Sequence, residues 1–314
     1  MKAIQLAKYG GPDVLVLNEV PRPKCNSGDV LVHVQAVGLN YVDILIRRGS
    51  HLQASQFPAV MPGEVEGIIE EVGADVKYLQ PGQRVTGYSR AGYAQLATIP
   101  ADQITVLPDD LPLGKGLLIQ HLTARNLLNQ ATSYQSLAIT AAAGGVGSSV
   151  VAMANAKGVK TIIGLVGDSA KISYVKSLGA TDVIVYTEEN WFEQLKEITK
   201  QKGVDLIMDA VGGTIGSTLV RQLSDEGTLV IYGNSSGEPS PITLQNLMPG
   251  RKAFAARLYG VTADLRNHWA NEIVQLIQSG DLNFSLTFYS LADAAKAHSD
   301  MESRTSTGRL ILKP

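Results

Sequence analysis

The chain has 314 residues, 45% hydrophobic and 18% charged, with a formal net charge of -2. That length exceeds the size at which one core stops growing, so two domains are expected in a well-packed globular protein. The near-neutral charge, with no basic run longer than Arg47-Arg48 or Arg251-Lys252, argues against a nucleic-acid partner. A lone cysteine, Cys25, excludes an internal disulfide framework and fits a reducing compartment. The opening MKAIQLAKYGG reaches Lys8 and Gly10 too early for a secretory signal, so a cytoplasmic protein is expected.

Up to about Leu111 the sequence reads as short strands broken by turn residues. Residues 30–37 (VLVHVQAV) alternate apolar and polar positions, and 68–72, 84–88 and 93–99 read as further strands between Gly73, Pro81-Gly82 and Gly92. This spacing predicts a small β-barrel or sandwich. The segment 108–116 (PDDLPLGKG) reads as a hinge. Beyond it the period changes. A helix is expected over 119–129, and strands over 161–166, 182–186, 204–210 and 228–233 alternate with helices over 169–178, 190–201 and 213–223. Such alternation builds a parallel sheet covered on both faces, with a ligand crevice where strand order reverses. Two more helices, 262–278 and 291–301, and a closing strand, 309–312, are expected to return to the first domain.

The richest segment is LAITAAAGGVGSSVVAMANA, residues 137–156, which carries no charge. Residues 137–142 read as a buried strand, Gly144 and Gly145 as a tight turn, and 147–157 as a helix. A strand that turns through glycines into a helix points backbone N–H groups and a positive dipole end at one spot, which suits a pyrophosphate. The pattern is A-x-G-x-x-G, with Ala142 in the first glycine's place. Taken alone, an ordinary glycine-rich turn of a buried α/β unit competes with that reading. A membrane span does not, because the glycines sit mid-segment and no basic flank marks a boundary.

With that turn placed, further segments follow in a familiar order: GLNYVDILIRRG (38–49), PGEVEGIIEEVG (62–73), PGQRV (81–85), AAGGVG (142–147), YGNSSG (232–237), LADAAKAH (291–298) and the closing TGRLIL. Together they make the chain resemble the zinc-independent, zeta-crystallin-like quinone oxidoreductases of the medium-chain dehydrogenase/reductase superfamily. The resemblance implies an α/β protein with a GroES-like β-barrel catalytic domain (1–115 and 261–314), a Rossmann doubly wound domain (116–260), and a homodimer. A stretch around 228–236 would then pair edge strands across the dimer.

Zinc-dependent relatives carry ligands where this chain places Asn40, Gly63 and Ile119. Glycine and isoleucine offer no donor and asparagine is a poor one, so no zinc is expected. Glu64 and Glu66 near Asp43 offer a carboxylate alternative that nothing demands. The place of an NAD-selecting acid at the end of the second Rossmann strand falls at or beside Val166. In similar NADPH enzymes a lysine and a tyrosine hold the 2′-phosphate, and Lys171 and Tyr186 stand in those places. Asp168 would repel that phosphate unless turned away to cap the helix at 169.

NADPH is therefore the expected cofactor. Ala143, Gly144, Gly145, Val146 and Gly147 would hold its pyrophosphate, Thr123 and Asn234 would contact its nicotinamide half by resemblance, and Gly233 and Gly237 would let the backbone after the fifth strand pass close to it. Without a metal, the acceptor must need little activation, as a quinone does, and positioning in a dry site carries the rate. Asn40 and Tyr41, in a loop leaving a barrel strand, are the candidate hydrogen-bond donors to the acceptor oxygen. Asp43 is expected to bond locally, to Arg47 if the segment is helical. His51 stands where many relatives have tyrosine. Two rivals remain: an enoyl or alkenal double-bond reductase on the same scaffold, and a non-enzymatic NADPH- or RNA-binding crystallin-like protein.

Overall fold

The computed structural model describes residues 1–51, 56–256 and 261–314, and the fold follows from them. The chain separates into two compact units. The first comprises Met1–Ile119, Ala263–Gln278 and Ser285–Pro314, and the second Gln120–Thr262 and Ser279–Phe284. The short segment Ser279–Phe284 thus leaves the otherwise continuous C-terminal return and packs with the second unit: Phe284 lies against His121, ring centroids 4.5 Å apart.

The first unit is built on the long strand Asp29–Gly38. Its seven-stranded sheet runs Leu286–Ser290, Arg309–Lys313, Asp29–Gly38, Gly63–Val72, Arg84–Ser89 and Thr105–Val106, with Leu96–Pro100 pairing onto the first half of Asp29–Gly38. A three-stranded sheet of Leu15–Glu19, Lys2–Leu6 and Ala59–Val60 stands beside it. Val30, Val32, Val34 and Val37 enter one hydrophobic core with Val65, Ile69, Val85, Ile99 and Leu312. His33 and Gln35 alternate outward, as the period-two pattern requires. Two expectations are corrected. The strand expected over 93–99 begins at Leu96, because Tyr93 and Ala94 pair instead with Ile4, Met61 and Ala3, with the Tyr93 ring fully buried. The loop expected after Gly38 is a helix, Tyr41–Arg47, whose Ile44 and Ile46 are buried.

The second unit holds a six-stranded parallel sheet in the order Asp182–Val185, Thr161–Val166, Ser136–Thr140, Val204–Asp209, Leu223–Ile231, Lys252–Ala255. Numbered along the chain this is 3-2-1-4-5-6, with the reversal at Ser136–Thr140, so the ligand crevice of such a sheet opens at that strand's C-terminal end. Several boundaries differ from expectation, the helix expected over 213–223 among them, which ends at Leu219 in a 3₁₀ turn before the strand Leu223–Ile231. The helix expected over 169–178 is a 3₁₀ turn, Ser169–Lys171, leading into Ile172–Ser177. The helix expected over 190–201 spans only Trp191–Ile198. Within the stretch around 228–236, which the resemblance made a dimer edge, residues 228–231 are paired on both sides, and the edge strand of the sheet is Lys252–Ala255. Among the described residues no helix is long and apolar enough to cross a membrane.

Candidate active site: a cofactor turn and an acceptor corner

The turn after Ser136–Thr140 is made earlier than the glycine pattern suggests. The strand ends at Thr140, Ala141 takes the left-handed conformation (φ 52°), and the helix Gly145–Ala156 starts two residues before the expected position. Gly145 and Gly147 therefore lie within the first helical turn, and crowding explains them. A Cβ on Gly147 would overlap the Ala141 carbonyl and the Ala142 backbone, and one on Gly145 would overlap the Gln120 side chain. The N–H groups of Gly145, Val146 and Gly147 begin the helix with no carbonyl one turn earlier to accept them. They suit a pyrophosphate. Ala143 is buried in the turn, and the Gly144 N–H is spent on the Ala141 carbonyl at 2.9 Å.

Helix Ile119–Leu128, which carries half-buried Thr123, braces this turn. The Ser149 hydroxyl donates to the Gly145 carbonyl (2.7 Å), so its oxygen accepts from Nδ1–H of His121 (2.8 Å). A second brace joins three strand ends. The Thr140 hydroxyl donates to Asp209 Oδ1 (2.8 Å), the Asp209 carboxylate accepts the N–H groups of Val211 and Gly212 (2.9 and 3.1 Å), and Tyr232 O–H donates to the Thr140 carbonyl (3.2 Å). Thr140 and Asp209 are fully buried. They set the backbone leading to Gly233 and exposed Asn234, whose Oδ1 accepts from the Ser236 hydroxyl at 3.2 Å.

One strand over, Val166 is buried and offers no acceptor for a ribose hydroxyl. Asp168 caps the 3₁₀ turn, accepting the Ala170 N–H at 2.8 Å, so its charge is turned back onto the helix start. Tyr186 follows Asp182–Val185, and a Cβ on Gly167 would lie 3.0 Å from its hydroxyl. Lys171 closes the 3₁₀ turn that Asp168 opens. Lys171 and Tyr186 thus stand at the C-terminal ends of adjacent parallel strands.

Asn40 and Tyr41 belong to the first unit. Asn40 is the N-cap of Tyr41–Arg47 in extended conformation (φ -117°, ψ 150°), not the left-handed turn residue that asparagine often is. It is 5% exposed, and its amide group donates to the Gly38 carbonyl (3.3 Å) and to Glu64 Oε2 (3.4 Å). Tyr41, the next residue, is 38% exposed. Asp43 does not bond Arg47. Its Oδ2 accepts the Asn40 N–H (2.9 Å) and the Tyr93 O–H (3.0 Å), the carboxylate half of a capping box. Arg47 instead reaches Glu302 at 2.6 Å, as Arg48 does at 2.5 Å. Burial, with Glu64 nearby, pushes the Asp43 carboxyl up to about 7 against the pull of those two hydrogen bonds.

Glu64 is held by Arg309 (3.3 Å) and accepts the Ile119 N–H (2.7 Å); Glu66 is paired with Arg84 and accepts the N–H groups of Gly114 and Gly116. Both carboxylates are thus committed to arginines of the same unit rather than gathered around Asp43. Among the described residues no group of three or more His, Cys, Asp or Glu side chains is arranged to hold a metal ion. At Gly63, any side chain would begin within 3 Å of the Tyr93 ring, which occupies the space a ligand there would need.

Two family models match the chain: an alcohol dehydrogenase GroES-like domain over residues 26–109 and a zinc-binding dehydrogenase domain over residues 145–279. The chain is 31% identical to a quinone oxidoreductase of Pseudomonas aeruginosa, covering 100% of this chain and 99% of that one. The chain belongs to the quinone oxidoreductase family. The structure of the Escherichia coli quinone oxidoreductase complexed with NADPH aligns over 100% of both chains with a TM-score of 0.91 and 31% identity. A 2-haloacrylate reductase of a Burkholderia species is 30% identical over 99% of this chain and 98% of its own length.

Against that family frame, sequence reasoning missed Tyr93 and His298 as partners of Asp43, and Thr140 with Asp209. Asp209 did leave a signal: an acid closing the apolar run VDLIMD before Gly212-Gly213, where a strand end needs its N–H groups capped. Tyr93 and His298 left none. Tyr93 meets Asp43 across 50 residues and His298 meets Tyr93 across 205, and only the tertiary fold brings them there.

Proposed function

We propose that this quinone oxidoreductase family member is an NADPH-dependent reductase that transfers hydride to quinones without a protein-held zinc. The carrying observation is the glycine-opened helix at the reversal point of a 3-2-1-4-5-6 sheet, in a chain alike from end to end to quinone oxidoreductases. The residues fit the cofactor. The first turn of Gly145–Ala156 presents unpaired N–H groups to a pyrophosphate, and the capped Asp168 leaves Lys171 and Tyr186 to meet a 2′-phosphate. NADPH, when bound, supplies the hydride. Thr123, Gly233 and Asn234 would orient its nicotinamide half.

The first unit would serve the acceptor. Both donors of the Asn40 amide are turned inward, so the exposed Tyr41 hydroxyl is the better group to bond an acceptor oxygen as negative charge develops. Asn40 then fixes the main chain from which Tyr41 projects. A quinone needs little more, because its reduced anion is delocalised and takes its proton from water. The assignment carries with it a homodimer in the cytoplasm and the domain division 1–115 with 261–314 and 116–260.

The test follows NADPH and NADH oxidation at fixed salt with a benzoquinone, a naphthoquinone and a short 2-alkenal, with and without chelator. NADPH-driven quinone turnover indifferent to chelator is expected, and Tyr41→Phe lowers kcat about tenfold with the affinity for NADPH unchanged. Alkenal turnover far above quinone turnover would make the chain a double-bond reductase. Chelator-sensitive turnover would overturn the zinc-free chemistry, and NADPH binding without turnover would leave only a binding protein.

A further inference from the structure

The corner that presents Tyr41 is braced from the other end of the chain. Asp43, Tyr93 and His298 form a hydrogen-bonded file in which every member is fully buried. The Tyr93 O–H is directed to Asp43 Oδ2 at 3.0 Å, so the Tyr93 oxygen accepts from Nε2–H of His298 at 3.2 Å. His298 lies on helix Ala294–Glu302, whose last residue grips Arg47 and Arg48. One helix of the C-terminal return therefore holds Tyr41–Arg47 at both ends: through Asp43 at its start and through Glu302 at its finish. A carboxyl placed so deep is poorly suited to stability alone, because burial opposes its charged form.

We propose that Asp43 is a positioning residue for quinone reduction: held by Tyr93 and, through it, by His298, its carboxylate pins the Asn40 main-chain N–H and so fixes where Tyr41 is presented. This rests on the acceptor-facing role assigned above to Tyr41. The charged carboxylate accepts the Asn40 N–H and the Tyr93 O–H more strongly than the neutral acid does. The corner is thus tightest when Asp43 is ionised.

The groups around Asp43 set the pH at which that happens. Glu64, on strand Gly63–Val72, opposes ionisation, as burial does, while Tyr93 and the Asn40 N–H favour it. Arg47, on Asp43's own helix, is neutralised by Glu302 at 2.6 Å. His298, which burial and the nearby Arg47 push down to about 3, stays a neutral imidazole with its proton on Nε2. Tyr88 acts on Tyr93, where it adds to the burial that keeps the Tyr93 proton in place. Asp43, raised to about 7, is the group whose change of charge acts directly on the Asn40 N–H.

Two measurements test the proposal on the whole protein. In ¹⁵N-labelled wild type, the Asn40 amide proton shift should move with a midpoint of about 7 and be flat in Asp43→Asn. In steady-state quinone reduction, kcat should rise through the same pH in wild type and lose that inflection in Asp43→Asn. Tyr93→Phe keeps the ring and removes a hydrogen bond that favours ionisation. Its kcat should fall about tenfold, its inflection should move to higher pH, and its affinity for NADPH should not change. A purely structural residue would leave the pH profile in place. An Asn40 shift that does not titrate near neutrality overturns the proposal and needs no variant to fold. The two readings fail separately: absent quinone turnover in wild type removes the reductase assignment and this role with it, whereas normal turnover with an unmoved Tyr93→Phe profile removes the positioning role alone.

Discussion

The proposed cofactor turn of the second unit and the proposed acceptor corner of the first are built by opposite means. The turn works through main-chain groups of a single stretch, residues 141–147, and what it needs from side chains is mostly their absence. The corner works through buried polar side chains, Asp43, Glu64, Tyr93, His298 and Arg309, drawn from five separate segments. A pyrophosphate makes the first arrangement sufficient, because aligned N–H groups bind any anion of that shape. Placing one hydroxyl on an acceptor demands the second, because a single-turn displacement of the helix start would move it out of reach.

That contrast predicts different ways to break each site. The largest effect belongs to Gly147→Val, which drives a branched side chain into the Ala141 carbonyl. Because backbone cannot yield, NADPH affinity measured by fluorescence titration should fall by about two orders of magnitude or more. Gly145→Ala meets only the Gln120 side chain and should cost much less. Gln120→Ala in the same protein should restore most of the loss, and failure to restore it would mean that the phosphate, not Gln120, requires glycine there.

Next in size is Lys171→Ala, which would remove the charge-assisted bond proposed above to the 2′-phosphate. It should weaken NADPH roughly tenfold to a hundredfold while leaving NADH nearly unchanged, read from paired dissociation constants. Equal weakening of both nucleotides would take Lys171 out of the phosphate site.

The smallest effect concerns stability in the corner. Asp43 is raised from its ordinary 3.8 to about 7 in the folded chain. Its contribution to stability is therefore fully present below about 3.8 and is lost as pH rises through 7. Asp43→Asn, which cannot ionise, should gain on wild type by a few degrees of Tm between pH 5 and pH 8 in calorimetric scans. A Tm difference that stays constant across that range would show that Asp43 does not titrate there. Gained stability with lost turnover would mark the corner as a place where packing was conceded to function.

The fold was legible because its signals are periodic and local. Strand–helix alternation after residue 119 marked the parallel sheet, and turn residues spaced along the first 111 marked the barrel. The boundaries that slipped did so for tertiary reasons. Ala141 rather than a glycine makes the left-handed turn, and Tyr93 leaves its expected strand to reach Asp43. The helix at Tyr41–Arg47, left open by the sequence for Asp43 and Arg47, starts at once after Asn40 and so takes Tyr41 out of the expected loop.

By itself the sequence determined where the glycine turn lies, the absence of donor atoms at Gly63 and Ile119, and the alternation of strands and helices that follows residue 119. Each depends on neighbours a few residues apart, or on what a residue lacks. Only the tertiary structure decided that the amide of Asn40 faces inward, that Tyr41 stays exposed, and that Asp43 answers to Tyr93 and His298 rather than to Arg47. Those contacts close chain loops of up to 205 residues, and no local propensity encodes a partner at that distance. The barrel supplies it when it folds the C-terminal return against its own first helix.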